Sequence, residues 1–166
     1  ARGAHKPSLA PPLCVWLLCL SSAAALKPSL APPLQPTGGP HGLPLLPSGD
    51  HLTLDAPGWT RGISTGGRVW PASAALCRYL ARTGIVRGKA ILELGCGTGA
   101  TGLTCAAALN ASSVILTEGG SEGLLQLARR NVAANRRLLP CEVDVQRHGW
   151  GEPVEWAPEL VVGSDV

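Results

Sequence analysis

The chain contains no methionine and no phenylalanine, and one tyrosine and five tryptophans among its 166 residues. Without a methionine, position 1 is not an initiator, and the chain is expected to be part of a longer product. So few aromatics leave no stacking platform of the kind that single-stranded nucleic-acid binders use. A net charge of +3 is also too small for the basic footprint that nucleic acid demands, so no nucleic-acid partner is expected. No apolar run reaches the roughly 20 residues needed to span a bilayer, so no stable membrane span is expected. The six cysteines (Cys14, Cys19, Cys77, Cys96, Cys105 and Cys141) form no C-x-x-C pair. The four histidines (His5, His41, His51 and His148) do not cluster with them. That spacing argues against zinc, and no metal site is expected. The thiols read as reduced and mostly buried, as in a cytoplasmic protein.

What is present is distributed unevenly. Residues 1–49 hold ten of the fifteen prolines and only three charged side chains, Arg2, Lys6 and Lys27. "KPSLAPPL" occurs at Lys6–Leu13 and again at Lys27–Leu34, with "CVWLLCLSSAAAL" between the copies. Proline at this density blocks helix and sheet, so residues 1–57 are expected to be a disordered arm and linker. Basic residues, a short apolar stretch and Ala23-Ala24-Ala25 resemble a secretory signal. Low-complexity sequence without an address is the other reading, and both stay open. The folded unit is expected over residues 58–166.

Within that unit, strand-like and helix-like segments alternate. "PASAALCRYLART" (71–83) has helical spacing with Pro71 in the first turn, and Gly84 and Gly88 close it. Ala90–Leu94 reads as a strand, "ATGLTCAAAL" as a helix, "SVILT" (113–117) as a second strand. Ser121 can cap a helix running to about Asn135. "CEVDV" and "ELVVGSDV" supply a third and a fourth strand. Alternation of this kind predicts an α/β, Rossmann-like parallel sheet with right-handed crossovers. The chain stops on a strand that would be central in a complete sheet. About four strands, the N-terminal half of the fold, are therefore expected, with the fourth strand's outer edge unpaired.

The stretch "ILELGCGTGATGL" (91–103) places four glycines in eight residues directly after the first strand. Gly95-Cys96-Gly97-Thr98-Gly99-Ala100 fits the dinucleotide pattern G-x-G-x-x-G/A, and Glu118 lies at the tip of the second strand, where an acid bonds a ribose. NAD fits that pattern, and so does S-adenosylmethionine, which also carries a ribose diol. Glu93 tips the balance. A pyrophosphate crossing the turn would meet its carboxylate, whereas the ammonium and sulfonium of S-adenosylmethionine would be favoured by it. The glycines let the main chain approach the ligand closely. A tight strand-to-helix connection without a ligand is the bland alternative.

Taken with its surroundings, the glycine stretch resembles motif I of the class I, seven-strand S-adenosylmethionine-dependent methyltransferases. "TGGRVWPASAALCRYL", "NVAAN", "HGWG" (148–151) and "VVGSDV" follow the order found in the family-16 protein-lysine methyltransferases. The resemblance covers about Gly62 to Val166. It implies that Trp70 lies beside the cofactor and that Gly95, Cys96 and Gly97 form the turn around its methionine part; Glu93 and Gly99 are counted with them as cofactor-binding candidates. It further implies Glu118 as the ribose acid, Trp150 near the adenine, and Ser164 with Asp165 at the start of a D-x-x-Y motif. The tyrosine position of that motif would follow Val166. Asp165 would then orient the incoming lysine. Taken singly, Trp70 and Trp150 also read as ordinary core residues, and Asn131 and Asn135 as structural. Arg129, Arg130, Arg136 and Arg137 read as a solvated basic face, and His148 carries no assignment.

The function expected is methyl transfer from S-adenosylmethionine to a lysine of a protein substrate. The alternatives are a different methyl acceptor on the same scaffold, a NAD-dependent oxidoreductase, and a non-catalytic cofactor-binding fragment. By itself the 166-residue chain is expected to bind cofactor weakly and not to turn over. Its oligomeric state and its particular substrate are not legible in the sequence.

Overall fold

The computed structural model describes residues 13–14, 39–58, 63 and 65–166. Three α-helices lie among the described residues: α1 (Pro71–Thr83), α2 (Ala100–Ala107) and α3 (Glu122–Asn135). They alternate with strands β2 (Ala90–Leu94), β3 (Ser113–Glu118), β4 (Glu142–Arg147) and β5 (Leu160–Gly163). A two-residue strand, β1 (Leu13–Cys14), completes a sheet of order β1-β5-β2-β3-β4. Every pairing is parallel. This is the α/β, Rossmann-like sheet that the alternation implied.

Local chemistry sets the element boundaries. Pro71 occupies the first turn of α1, where its missing N–H costs nothing. Gly84 ends that helix in the left-handed region at φ 65° and donates to the Leu80 carbonyl at 3.0 Å. Ser121 caps α3 through its hydroxyl, which accepts from the Leu124 amide. Helix α2 is buried almost all round, from Ala100 to Ala106. A helix of that kind belongs in the interior, and its small residues let it lie close to the sheet. The central core joins Leu76 and Leu80 of α1, Leu103 of α2, Leu125 and Ala128 of α3, and Ile91, Val114, Leu116, Val145 and Leu160 of the strands.

The outer edge of β5 is covered over half its length. Leu13 pairs with Leu160 and Cys14 with Val161, so the expectation of a wholly unpaired edge does not hold. The physical reason is that a parallel strand edge presents a row of unpaired N–H and C=O groups, which a short extended segment can satisfy. The remainder of the arm through residue 38 lies outside the described residues, including the second "KPSLAPPL" copy and most of the apolar insert.

Packing also begins before Gly58, where composition placed the boundary. Leu43, Leu46 and Leu52 are buried. Leu43 joins Ala74, Cys77 and Ala100 in a small cluster, and Leu52 enters the central core. Proline density measures what the backbone cannot form. It does not register that spaced leucines can each add about 2 kcal/mol by covering an apolar surface presented by later elements.

Strand β2 pairs with β3 on one side and β5 on the other. The connection therefore reverses direction at β2, and the C-terminal ends of β2 and its neighbours diverge there into a crevice. Open parallel sheets place ligands at such a point. The close contact behind it is made by Gly102 of α2. A Cβ there would collide with Leu116 Cδ2 and stand 2.8 Å from Glu93 Oε2. Gly102→Ala is accordingly expected to destabilise the fold by about 1–3 kcal/mol through overpacking. Urea unfolding of the two chains measures it, and an unchanged midpoint would mean that α2 can move off β3 freely.

Candidate cofactor-binding site

The turn after β2 takes a path that side chains would forbid. Gly95, Gly97 and Gly99 have φ of 58°, 53° and 77°, the left-handed region that glycine enters without penalty. At Gly97 the neighbours add a second restriction, since a Cβ would lie 2.7 Å from the Gly66 carbonyl oxygen. The Cys96 amide donates to the Thr117 carbonyl at 2.9 Å, which ties the turn to the end of β3, and the Gly99 amide donates to the Cys96 carbonyl at 2.7 Å.

Glu118 ends β3 with 8% of its surface exposed. Its Oε2 accepts from the Gly97 amide at 3.0 Å, and its Oε1 from the Gly120 amide at 2.8 Å. Two backbone donors thus fix the carboxylate while each oxygen keeps a further lone pair. The carboxylate lines an open cleft of about 700 Å³, within the usual range for a small-ligand site.

Glu93 has a different environment. It is 3% exposed, accepts from the Gly102 amide at 2.8 Å, and is not among the residues lining the cleft. Burial pushes its pKa up to about 8. The bond from Gly102 opposes that rise, and the nearby Glu118 carboxylate adds to it. Glu93 therefore sits behind the turn, against the first turns of α2. It does not present a free charge to a ligand, and the like-charge reasoning that favoured a cationic ligand is not carried by this side chain.

The other walls come from distant parts of the sequence. Trp70, immediately before α1, donates from its indole N–H to the Thr65 carbonyl at 3.2 Å, and the Arg68 guanidinium lies 5.4 Å from the Trp70 ring centroid. Ser73 of α1 and Ser164 after β5 share a 2.8 Å hydroxyl–hydroxyl bond. Asp165 follows in the left-handed region at φ 53°, a strained conformation for a residue with a Cβ. On the far side Trp150 is 68% exposed, which removes the reading of this ring as core. His148 packs edge-on to Trp156 with ring centroids 5.8 Å apart.

Of the residues singled out from sequence, Trp70, Gly95, Cys96, Gly97, Glu118, Trp150, Ser164 and Asp165 all line this one cleft. Glu93 and Gly99 do not. A Cβ on Gly99 would meet Leu116 at 3.0 Å, so this glycine serves the entry into α2. Burial also raises the Cys96 thiol well above its usual pKa, which leaves backbone and small size as its contribution. Sequence reasoning missed Arg68, Ser73, Thr65 and His148. Arg68 and Ser73 sit next to the recognised Trp70, and adjacency to that residue was the one signal that would have found them. Asn131 and Asn135 are buried and fully hydrogen-bonded, in keeping with a structural role. Arg129 pairs with Glu122 and Arg130 with Asp55 on the surface, where such pairs contribute little.

Comparison with known proteins gives a consistent set of relatives. A family described as lysine methyltransferase matches residues 49–166. Protein N-lysine methyltransferase METTL21A of Danio rerio is 32% identical over 105 residues, covering 59% of this chain and 46% of its own. Protein-lysine N-methyltransferase EFM3 of Chaetomium thermophilum is 39% identical over 114 residues, covering 62% and 34%. EEF1A lysine methyltransferase 3 of Mus musculus is 32% identical over 105 residues, covering 60% and 42%. The chain thus spans less than half the length of each of these relatives.

The burial of Glu93 has a measurable consequence. Its folded pKa of about 8 lies above the ordinary 4.5, so between these values the folded state binds the extra proton. Stability from this group is complete below pH 4.5 and is lost as pH rises to about 8. The unmodified chain is expected to lose several kcal/mol over that window from this group, and Glu93→Gln is expected to abolish that part of the slope. Urea unfolding at pH 5.5 and 8 checks it. Parallel pH profiles for the two chains would mean that Glu93 is ionised in the fold.

Proposed function

The chain belongs to the lysine methyltransferase family that matches it over residues 49–166, and from that premise we propose that its cleft binds S-adenosylmethionine and that the protein transfers the methyl group to a lysine of a protein substrate. The observation that carries the cofactor assignment is Glu118. Its carboxylate is held at the end of β3 by the Gly97 and Gly120 amides in the lining of the cleft, with a lone pair on each oxygen left to accept from a ribose diol.

The other residues fit the same ligand. The side-chain-free surface of Gly95 and Gly97 allows a close approach of the methionine part. Trp150 offers an exposed flat face for adenine. Among the described residues Arg68 is the one Lys or Arg that lines the cleft, and its charge suits a carboxylate. When bound, S-adenosylmethionine supplies a methyl group on a sulfonium, transferable in one in-line displacement without a covalent enzyme intermediate. The protein's task is then positioning. Asp165, at the cleft beyond the tip of β5, would accept a hydrogen bond from the incoming amine and hold its lone pair towards the methyl carbon. The Ser73–Ser164 bond fixes the residue before Asp165 to α1, so the strained Asp165 backbone is anchored on one side.

Two measurements test this reading. Calorimetry should detect S-adenosylhomocysteine binding and no comparable binding of NAD. Glu118→Ala should weaken it by about 1–3 kcal/mol through lost charge-assisted bonds. Preferential binding of NAD would overturn the cofactor assignment. Asp165→Ala should lower kcat by about 10²-fold or more, if orientation of the amine is its role, with cofactor affinity little changed. Labelled-methyl transfer to lysate proteins measures it, and an unchanged rate would remove Asp165 from the acceptor side.

A further inference from the structure

We propose that Asn131 is a positioning residue for the glycine turn, coupling cofactor affinity to the docking of a backbone segment, Thr53–Asp55, that does not reach the cleft. The proposal rests on the cleft being the S-adenosylmethionine site.

Asn131 and Asn135 lie four residues apart on α3 and so share a face. They are 1% and 0% exposed. Each grips one residue of the 53–55 segment by both of its backbone groups. Asn135 accepts from the Thr53 amide at 2.9 Å and donates to the Thr53 carbonyl at 2.7 Å. Asn131 accepts from the Asp55 amide at 2.8 Å and donates to the Asp55 carbonyl at 3.0 Å. The two side chains thus stand in for a neighbouring strand. The exposed Arg130–Asp55 ion pair at 3.3 Å adds little to this clasp.

The two asparagines differ in one respect. The amide nitrogen of Asn135 makes its second bond within α3, to the Asn131 carbonyl at 2.7 Å. The amide nitrogen of Asn131 makes its second bond to the Thr98 carbonyl at 2.9 Å. Thr98 follows Gly97, whose amide is held by Glu118. A continuous path therefore runs from Asp55 through Asn131 to Thr98, and on through the turn to the proposed ribose acid.

A side-chain amide has two N–H donors and one oxygen, and Asn131 divides its donors between the segment and the turn. If the segment leaves, one donor and the oxygen become buried and unpaired, at a cost that the side chain escapes only by turning away. Thr98 then loses the bond that fixes its carbonyl. By reciprocity, a ligand that fixes the turn favours the docked segment.

The test uses Asn131→Ala and Asn135→Ala in the full chain, followed by thermal unfolding and by calorimetry with S-adenosylhomocysteine. Both substitutions should lower Tm. Only Asn131→Ala should weaken binding, by about tenfold, with Asn135→Ala within about threefold of the unmodified chain. Equal changes in affinity, or none, would overturn the proposal, because a merely structural clasp predicts no such split. Amide hydrogen exchange on the unmodified chain decides the matter if either variant fails to fold. The Thr53 and Asp55 amides should exchange more slowly with S-adenosylhomocysteine bound, and unaltered exchange would overturn the coupling. Failure of the unmodified chain to bind S-adenosylhomocysteine at all would instead overturn the cofactor assignment itself.

Discussion

The turn from Gly95 to Gly99 is held from several directions by groups that belong to other elements, and the rest of the site is arranged around it. Thr117 and Glu118 at the end of β3 take the Cys96 and Gly97 amides. Gly66 stands against Gly97 so closely that no Cβ fits between them. Asn131 of α3 holds the Thr98 carbonyl, and Gly102 brings α2 against Leu116. Three of the five residues of this turn carry no side chain, and only Cys96 and Thr98 bury one, so much of its shape is imposed from outside. The reward is a backbone surface that a ligand can approach at van der Waals distance.

Two acids stand on either side of that turn in different surroundings. Glu93 is enclosed, with one backbone donor and a pKa pushed up to about 8 by loss of water. Glu118 has two backbone donors and lines the cleft. The nearby Glu118 carboxylate adds to the rise at Glu93, because two like charges are unfavourable in a poorly solvated space. The acid behind the turn serves packing and the start of α2, and the acid beside it lines the cleft.

The segment before α1 has more weight than its composition suggests. Residues 39–58 bury three leucines and are fastened to α3 by two asparagines. Those bonds span 76 to 82 positions in sequence, so they close large loops and depend on the rest of the fold being in place. The same holds for β1 against β5, where two residues from the arm lie beside the strand from which Ser164 and Asp165 emerge.

What the sequence by itself determined is local. Helical spacing from Pro71 to Thr83, the Ser121 cap, the apolar runs of the strands and the glycine pattern after Leu94 are all short-range signals, and the elements appear within about three residues of where those signals place them. Alternation of strand and helix then implied a parallel sheet. The ordered motifs brought eight of the ten named site residues to one cleft. The tertiary structure alone decided the strand order, the pairing of Leu13–Cys14, the Ser73–Ser164 bond, the place of Arg68 and the direction in which Glu93 points. Each of these depends on which groups meet after the crossovers have been made. A carboxyl at the end of a strand looks the same in sequence whether it faces the cleft or the helix behind it, and only the packing of Gly102 against β3 settles which.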